Sequence, residues 1–167
     1  MTKSEEDLMA AFAGESQANR KYLAFAKKAD KEGFKQVAKV FRAAAAAETV
    51  HAHNHLRAAG GIKDTVSNVK AAIEGEHYEF SNMYPEMLEH AKQDGNKKAE
   101  QSFHWANEVE KIHHKLYSGA LEAIEKKEDL PEQEMYICPV CGFTVEGEVP
   151  DLCPVCGAKG STFQLIE

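Results

Sequence analysis

Apolar residues recur at three- and four-residue steps through most of the first 126 positions, the period of helices that each bury one face. Between residues 5 and 31 that face reads Leu8, Phe12, Glu15, Ala18, Tyr22, Phe25 and Ala29. Gly33 breaks the pattern and can serve as a left-handed stop. A second helix is expected over about 34–59, with Val37, Val40, Phe41, Ala44, Ala45, Glu48, His51 and His55 on one stripe and Gly60-Gly61 at its end. Asp64 or Thr65 can cap a third, running to about residue 92. Pro85 lies inside it and should kink it or remove a hydrogen bond one turn back. Asp94-Gly95-Asn96 reads as a turn, and a fourth helix covers about 97–126. The expectation is an all-α four-helix bundle over 1–127. From residue 128 the helical period is gone. A charged linker, 128–135, leads to a segment, 136–167, too short to fold around an apolar core of its own, so that a metal would have to hold it. Short strands and turns are expected there.

Some residues on the apolar stripes are not apolar, and they recur. Glu15 is followed 33 positions later by Glu48 and then His51; Glu76 is followed 34 positions later by Glu110 and then His113. An offset of 62 also aligns Gly33 with Gly95, Phe41 with Phe103 and Ala44 with Ala106, as for a helical hairpin used twice. Glu-x-x-His places a carboxylate and an imidazole on one helix face. Two lone glutamates plus two such motifs form the ligand set of a di-metal carboxylate site in a bundle. A single Glu-x-x-His on an Ala-rich helix is ordinarily a solvated pair; two copies, each preceded by a Glu on an apolar stripe, reverse that reading. Four carboxylates balance two divalent ions, and oxygen with imidazole suits iron or manganese. Glu79, three positions after Glu76, shares its face, and its counterpart in the first half is Ala18, so a fifth carboxylate is available on one side only. His53, His77 and His114 should point elsewhere, His55 could support a ligand, and Tyr22 could reach a ligand carboxylate. Tyr78, Tyr84 and Tyr117 read as core or rim.

The C-terminal segment carries Cys138-Pro-Val-Cys141-Gly and Cys153-Pro-Val-Cys156-Gly, two matched knuckles separated by eleven residues. Four thiolates make a tetrahedral site for zinc or a single iron. Zinc would be structural, whereas iron would carry one electron; beside a di-iron bundle, iron is the better expectation.

Charge sharpens the division. The 40 residues from Glu128 hold eight acidic residues and one lysine, hence the whole formal charge of −7, while the remainder balances at 19 and 19. Neither part has the basic excess of a nucleic-acid binder. The acidic module would suit a basic redox partner; the plainer reading is that its acidity serves solubility alone. The N-terminus lacks a signal-peptide core, no apolar run reaches membrane length, and thiolate knuckles fit a reducing compartment, so a cytoplasmic location is expected.

The two constellations together resemble the rubrerythrins over essentially the whole length, through AGES at 13–16, ETVH at 48–51, GEHYE at 75–79, MYPE at 83–86, EKIH at 110–113, and YICPVCGF with LCPVCG near the end. The resemblance implies a ferritin-like bundle with a non-haem di-iron centre and a rubredoxin-like Fe(Cys)4 domain. It implies an oxidative-stress peroxidase that reduces hydrogen peroxide to water, with electrons from rubredoxin or an NAD(P)H-dependent reductase. Matched residue by residue, Glu15, Glu48, Glu76, Glu110 and His113 would be constant ligands, with Glu48 and Glu110 bridging. Glu79 would ligate in the diferric state and His51 in the diferrous state. Cys138, Cys141, Cys153 and Cys156 would hold the third iron. A ferroxidase or iron-storage role is the rival, and the four-cysteine module argues against it because storage needs no electron-transfer module. A third possibility is an inert bundle with a zinc-held interaction module.

One departure from longer family members concerns assembly. In a ferritin-like bundle the second and third helices run parallel, yet Glu48 and Glu76 are only 28 positions apart. Unless the helix ends unwind, the chain cannot cross back, and a homodimer that swaps its second hairpin is expected.

Overall fold

The computed structural model describes residues 2–167, in two compact units divided between Lys63 and Asp64. In the first, α1 (Lys3–Lys31) and α2 (Lys35–Ala58) form a helical hairpin. Thr2 and Glu5 make a reciprocal capping box at the start of α1, and Gly33 turns the chain at φ 90°, as a residue without Cβ can. The seam is built on alanine. Ala38, Ala45 and Ala52, seven apart on α2, are buried with Ala26 and Ala29 of α1, a spacing that keeps one stripe toward a partner helix. Asn19 donates to the Ala45 carbonyl at 2.7 Å and to Thr49 Oγ1 at 2.8 Å, and Arg42 pairs with Asp30 at 2.7 Å. Tyr22, Phe25 and Phe41 cluster with ring centroids 5.6–6.4 Å apart. Even so, Phe34, Val37, Val40 and Val50 remain more than 45% exposed. The hairpin thus offers more apolar surface than its own seam covers.

The second unit holds the other hairpin and the small module. Helix α3 (Thr65–Tyr78) starts at Asp64, whose carboxylate accepts from Ser67 N–H at 2.9 Å. The single long helix expected here is interrupted by a π turn, Glu79–Met83, before α4 (Tyr84–Gln93). The physical reason is Pro85 at the start of α4. It has no N–H for the ladder, and its ring would collide with the carbonyl four residues back. The wider turn absorbs both problems: Tyr84 N–H reaches the Glu79 carbonyl, an i to i−5 bond. Helix α5 (Lys97–Glu125) then packs on α3 and α4, capped by Asn96.

Beyond Lys127 the chain forms a three-stranded antiparallel sheet in the order β2-β1-β3, from β1 (Met135–Ile137), β2 (Thr144–Glu146) and β3 (Gln164–Ile166). The module also packs on α5: a Cβ placed on Gly142 would lie 3.9 Å from Val109, which is itself 2% exposed. The sequence division at residues 128–135 marks the change from helix to strand. Among the described residues no helix is long and apolar enough to cross a membrane.

Candidate metal centres

Each hairpin gathers the three donors its sequence promised. In the first, ligand atoms of Glu15, Glu48 and His51 lie within 4.8 Å of one another. His51 Nδ1 is 2.9 Å from Glu48 Oε2 and 3.8 Å from Glu15 Oε1. In the second, Glu76, Glu110 and His113 do the same, with His113 Nδ1 2.7 Å from Glu110 Oε2 and 3.8 Å from Glu76 Oε1. The two trios match to within 0.2 Å because one local rule builds both: i, i+3 on one helix, and a glutamate facing it from the adjacent helix.

The electrostatics of the second trio are those of a cation site. Glu76 is pushed up to about 7, first by burial and then by the hydrogen bond and charge of Glu110. Burial, with the charge of Glu110, also raises Glu79, which therefore senses the trio although it is not part of the compact group. His113 is held above the usual imidazole range, chiefly by its hydrogen bond to Glu110. Like charges crowded at partial burial resist ionising together, and a divalent cation relieves them. The donor set, carboxylate oxygens with imidazole nitrogen, fits iron.

The four cysteines form the other centre. Cys138 Sγ lies 3.6 Å from Cys156 Sγ, and Cys141 Sγ lies 3.5 Å from Cys153 Sγ. A tetrahedron with metal–sulfur bonds of ~2.3 Å requires edges of ~3.8 Å, so the thiols are already near their places. The two knuckles are copies of each other. Gly142 N–H donates to the Cys138 carbonyl, and Gly157 N–H to the Cys153 carbonyl, both at 2.9 Å. Both glycines have positive φ, 86° and 74°. At Cys138, burial pushes the thiol up, but amides at Cys141 and Val140 outweigh it and leave the thiol below its usual range. Burial raises Cys141 and Cys156, a cost that a bound cation removes by taking the thiolate.

A family model for rubrerythrin matches residues 6–121, and one for the rubrerythrin rubredoxin-like domain matches residues 136–164. The chain belongs to the rubrerythrin family. Rubrerythrin-2 of Clostridium acetobutylicum is 37% identical, with 94% of this chain and 93% of the relative aligned. Nigerythrin of Nitratidesulfovibrio vulgaris is 36% identical over 95% of this chain and 84% of its own. Among solved structures, partially reduced nigerythrin superposes with a TM-score of 0.59 at 32% identity, covering 99% of this chain and 88% of the other. A ferritin-like rubrerythrin domain with a di-iron carboxylate–histidine site, followed by a rubredoxin-like iron site, is thus the architecture of this chain.

Within that rubrerythrin frame, several side chains settle where the sequence expected and others do not. His77 and His114 turn away from the carboxylates and pack edge-on against Phe80, with centroids 5.2 and 5.4 Å from its ring. Within its own hairpin Tyr22 packs against Phe25 and Phe41. Tyr84, read as core or rim, stands close enough to the acidic cluster that Glu79, Glu110 and Glu76 raise its phenol, after burial itself. Its place beside the π turn was not legible without knowing that the turn exists. Thr144 was missed altogether: its Oγ1 lies 3.1 Å from His113 Nε2. No motif marks a threonine three positions past a knuckle.

Proposed function

We propose that this protein reduces hydrogen peroxide to water at a di-iron centre held by Glu15, Glu48, His51, Glu76, Glu79, Glu110 and His113. Electrons arrive through an iron bound by Cys138, Cys141, Cys153 and Cys156. The observation that carries this reading is the four-thiol module packed on α5 beside His113, because neither iron storage nor passive binding requires one there. Two ferrous ions held by these residues would supply both electrons that H2O2 and two protons need to become two waters, and an iron held by the four thiolates would return them one at a time.

The chain's own residues do the rest. Four carboxylates would offset the charge of two divalent ions, with Glu48 and Glu110 as the residues that would hold both. Glu79, outside the compact trio and at the head of the π turn, would serve as the exchangeable carboxylate, with His51 as its counterpart. A cavity of about 420 Å³ lined by Glu76, His113, Leu116, Tyr117, Met135 and Thr144 opens beside the second trio. It is room enough for a small oxidant to approach from the module's side. The acidic module docks an electron donor of the rubredoxin type or an NAD(P)H-linked reductase.

The first hairpin supplies three of the ligands and the second four, and the connection between them is short. From Glu48 to the end of α2 is ~15 Å of helix, and from the start of α3 to Glu76 is ~16 Å. The stretch from Ala58 to Thr65 reaches at most ~24 Å even if fully extended, and neither helix end is unwound. A parallel return within one bundle needs ~31 Å. The exposed apolar residues of the first hairpin also call for a cover. The complete centre is therefore formed in a homodimer that exchanges second hairpins.

Adding one equivalent of peroxide per di-iron centre to fully reduced protein tests the activity. Oxidation of the bundle centre, return of the red thiolate-iron colour on further addition, and production of water without oxygen are the expected results. Formation of a ferric mineral from excess ferrous iron, with no peroxide consumption, would favour storage instead.

A further inference from the structure

We infer that Thr144 is a positioning residue for His113, fixing which ring nitrogen faces the metal and tying the rubredoxin-like module to the second half-site. This rests on the reading of His113 as a ligand. Thr144 has one hydroxyl proton, and it is already spent: Oγ1 donates to the Gly142 carbonyl at 3.1 Å. The oxygen 3.1 Å from His113 Nε2 can therefore only accept, which requires the proton to reside on Nε2. Nδ1, which donates to Glu110 Oε2 at 2.7 Å while no ion is bound, is the nitrogen that faces the carboxylates, and an ion held by them would take the place of its proton. A ligating histidine whose second nitrogen is held in this way keeps its tautomer and ring plane, and such supports are worth about 10–100-fold in metal affinity.

The bond also crosses from one element to another. Thr144 opens β2, three positions after Cys141, and Gly142, whose carbonyl orients the hydroxyl, is the turning residue of the first knuckle. The chain from thiol to imidazole is thus Cys141, its peptide neighbour Gly142, and two hydrogen bonds. Within its own hairpin the polar contacts of His51 are with the carboxylates of Glu48 and Glu15. The second Glu-x-x-His motif is thus tied to the thiolate module of its own chain through Thr144.

Full-length protein labelled with ¹⁵N-histidine and loaded with zinc(II) at both kinds of site tests this by proton–nitrogen correlation spectroscopy, with His113→Gln assigning the signal. His113 should show its proton on Nε2 and zinc on Nδ1. In Thr144→Val that proton should exchange with solvent at least tenfold faster, and zinc should bind the bundle about 10–100-fold more weakly. Thr144→Ser should restore both. A proton on Nδ1 in the wild type would overturn the inference with no variant needed. So would wild-type exchange and affinity in Thr144→Val, or a serine variant that fails to rescue. If His113→Ala leaves zinc affinity unchanged, the ligand assignment itself fails, a separate result.

Discussion

His113 Nε2 and Thr144 Oγ1 lie 3.1 Å apart, so a histidine of the carboxylate cluster and a threonine of the thiolate module share a hydrogen bond within one chain. The module is not a tethered appendage of the second hairpin. It rests on α5 at Val109 and His113, one helical turn apart, and the contact lies beside the charges that a metal must neutralise.

On the proposed electron path the thiolate iron is needed for turnover and not for a single reaction at the bundle. Cys138→Ser removes a nearly buried sulfur at 1% exposure and should abolish steady-state peroxide reduction with a reductase. A single reaction of pre-reduced protein with peroxide should persist at a similar rate. Stopped-flow absorbance of the bundle centre checks it, and loss of both reactions would assign the module a structural role only.

Glu79 is the ligand candidate without a symmetry partner. Glu79→Ala should still bind two ferrous ions per centre through the other six residues, while its peroxidase rate falls by about tenfold or more. Iron titration and kcat measured on the same sample separate the two effects. Normal turnover would rule out the exchange with His51. Glu48→Ala should be worse and lose iron, because a bridge disappears and the remaining charge no longer balances.

The metal-free protein should lose stability as pH rises, the reverse of common carboxylate behaviour. Glu76, pushed up to about 7 from an ordinary 4.5 by burial and by Glu110, binds its proton more tightly folded than unfolded. Glu79 and His113 are raised as well. Across this window the folded chain holds more protons than the unfolded chain, so unfolding becomes easier with each step up in pH. The loss from Glu76 starts near 4.5 and is complete just above 7. Metal-stripped protein should melt lower at about pH 8 than at about pH 5, and Glu76→Gln should flatten the difference. With metal bound the trend should invert, since the ion competes with those protons. A metal-stripped Tm that climbs over the same range would contradict the crowding at the second trio.

Hairpin exchange is testable by complementation. A Glu15→Ala chain and a Glu110→Ala chain, unfolded and refolded together, should give heterodimers in which one centre carries both lesions and the other none. About half of the activity expected for two intact centres should then return. In an unswapped dimer every centre keeps a lesion. No recovery in verified heterodimers would reject the exchange.

The sequence alone determined what depends on local spacing. Helix faces, the Glu-x-x-His pairs and the doubled knuckle follow from 3.6-residue periodicity and from C-x-x-C turns, so Glu15, Glu48, His51, Glu76, Glu110, His113 and the four cysteines could be grouped before any coordinates. The stop at Gly33 and the cap at Asp64 were readable for the same reason, since each is settled within a few residues. Only the tertiary structure decided what depends on distant partners. It turned the Pro85 kink into a π turn beginning at Glu79, because the best relief for a missing N–H depends on the whole helix and its packing on α5. It brought Tyr84 to the acidic cluster, grouped Tyr22 with Phe25 and Phe41, and set Thr144 against His113. Those contacts join residues on different elements, up to 31 positions apart, or turn on one helix's rotation against another. No periodicity encodes them, because a side chain's neighbours across an interface are fixed by packing and not by its place in the chain.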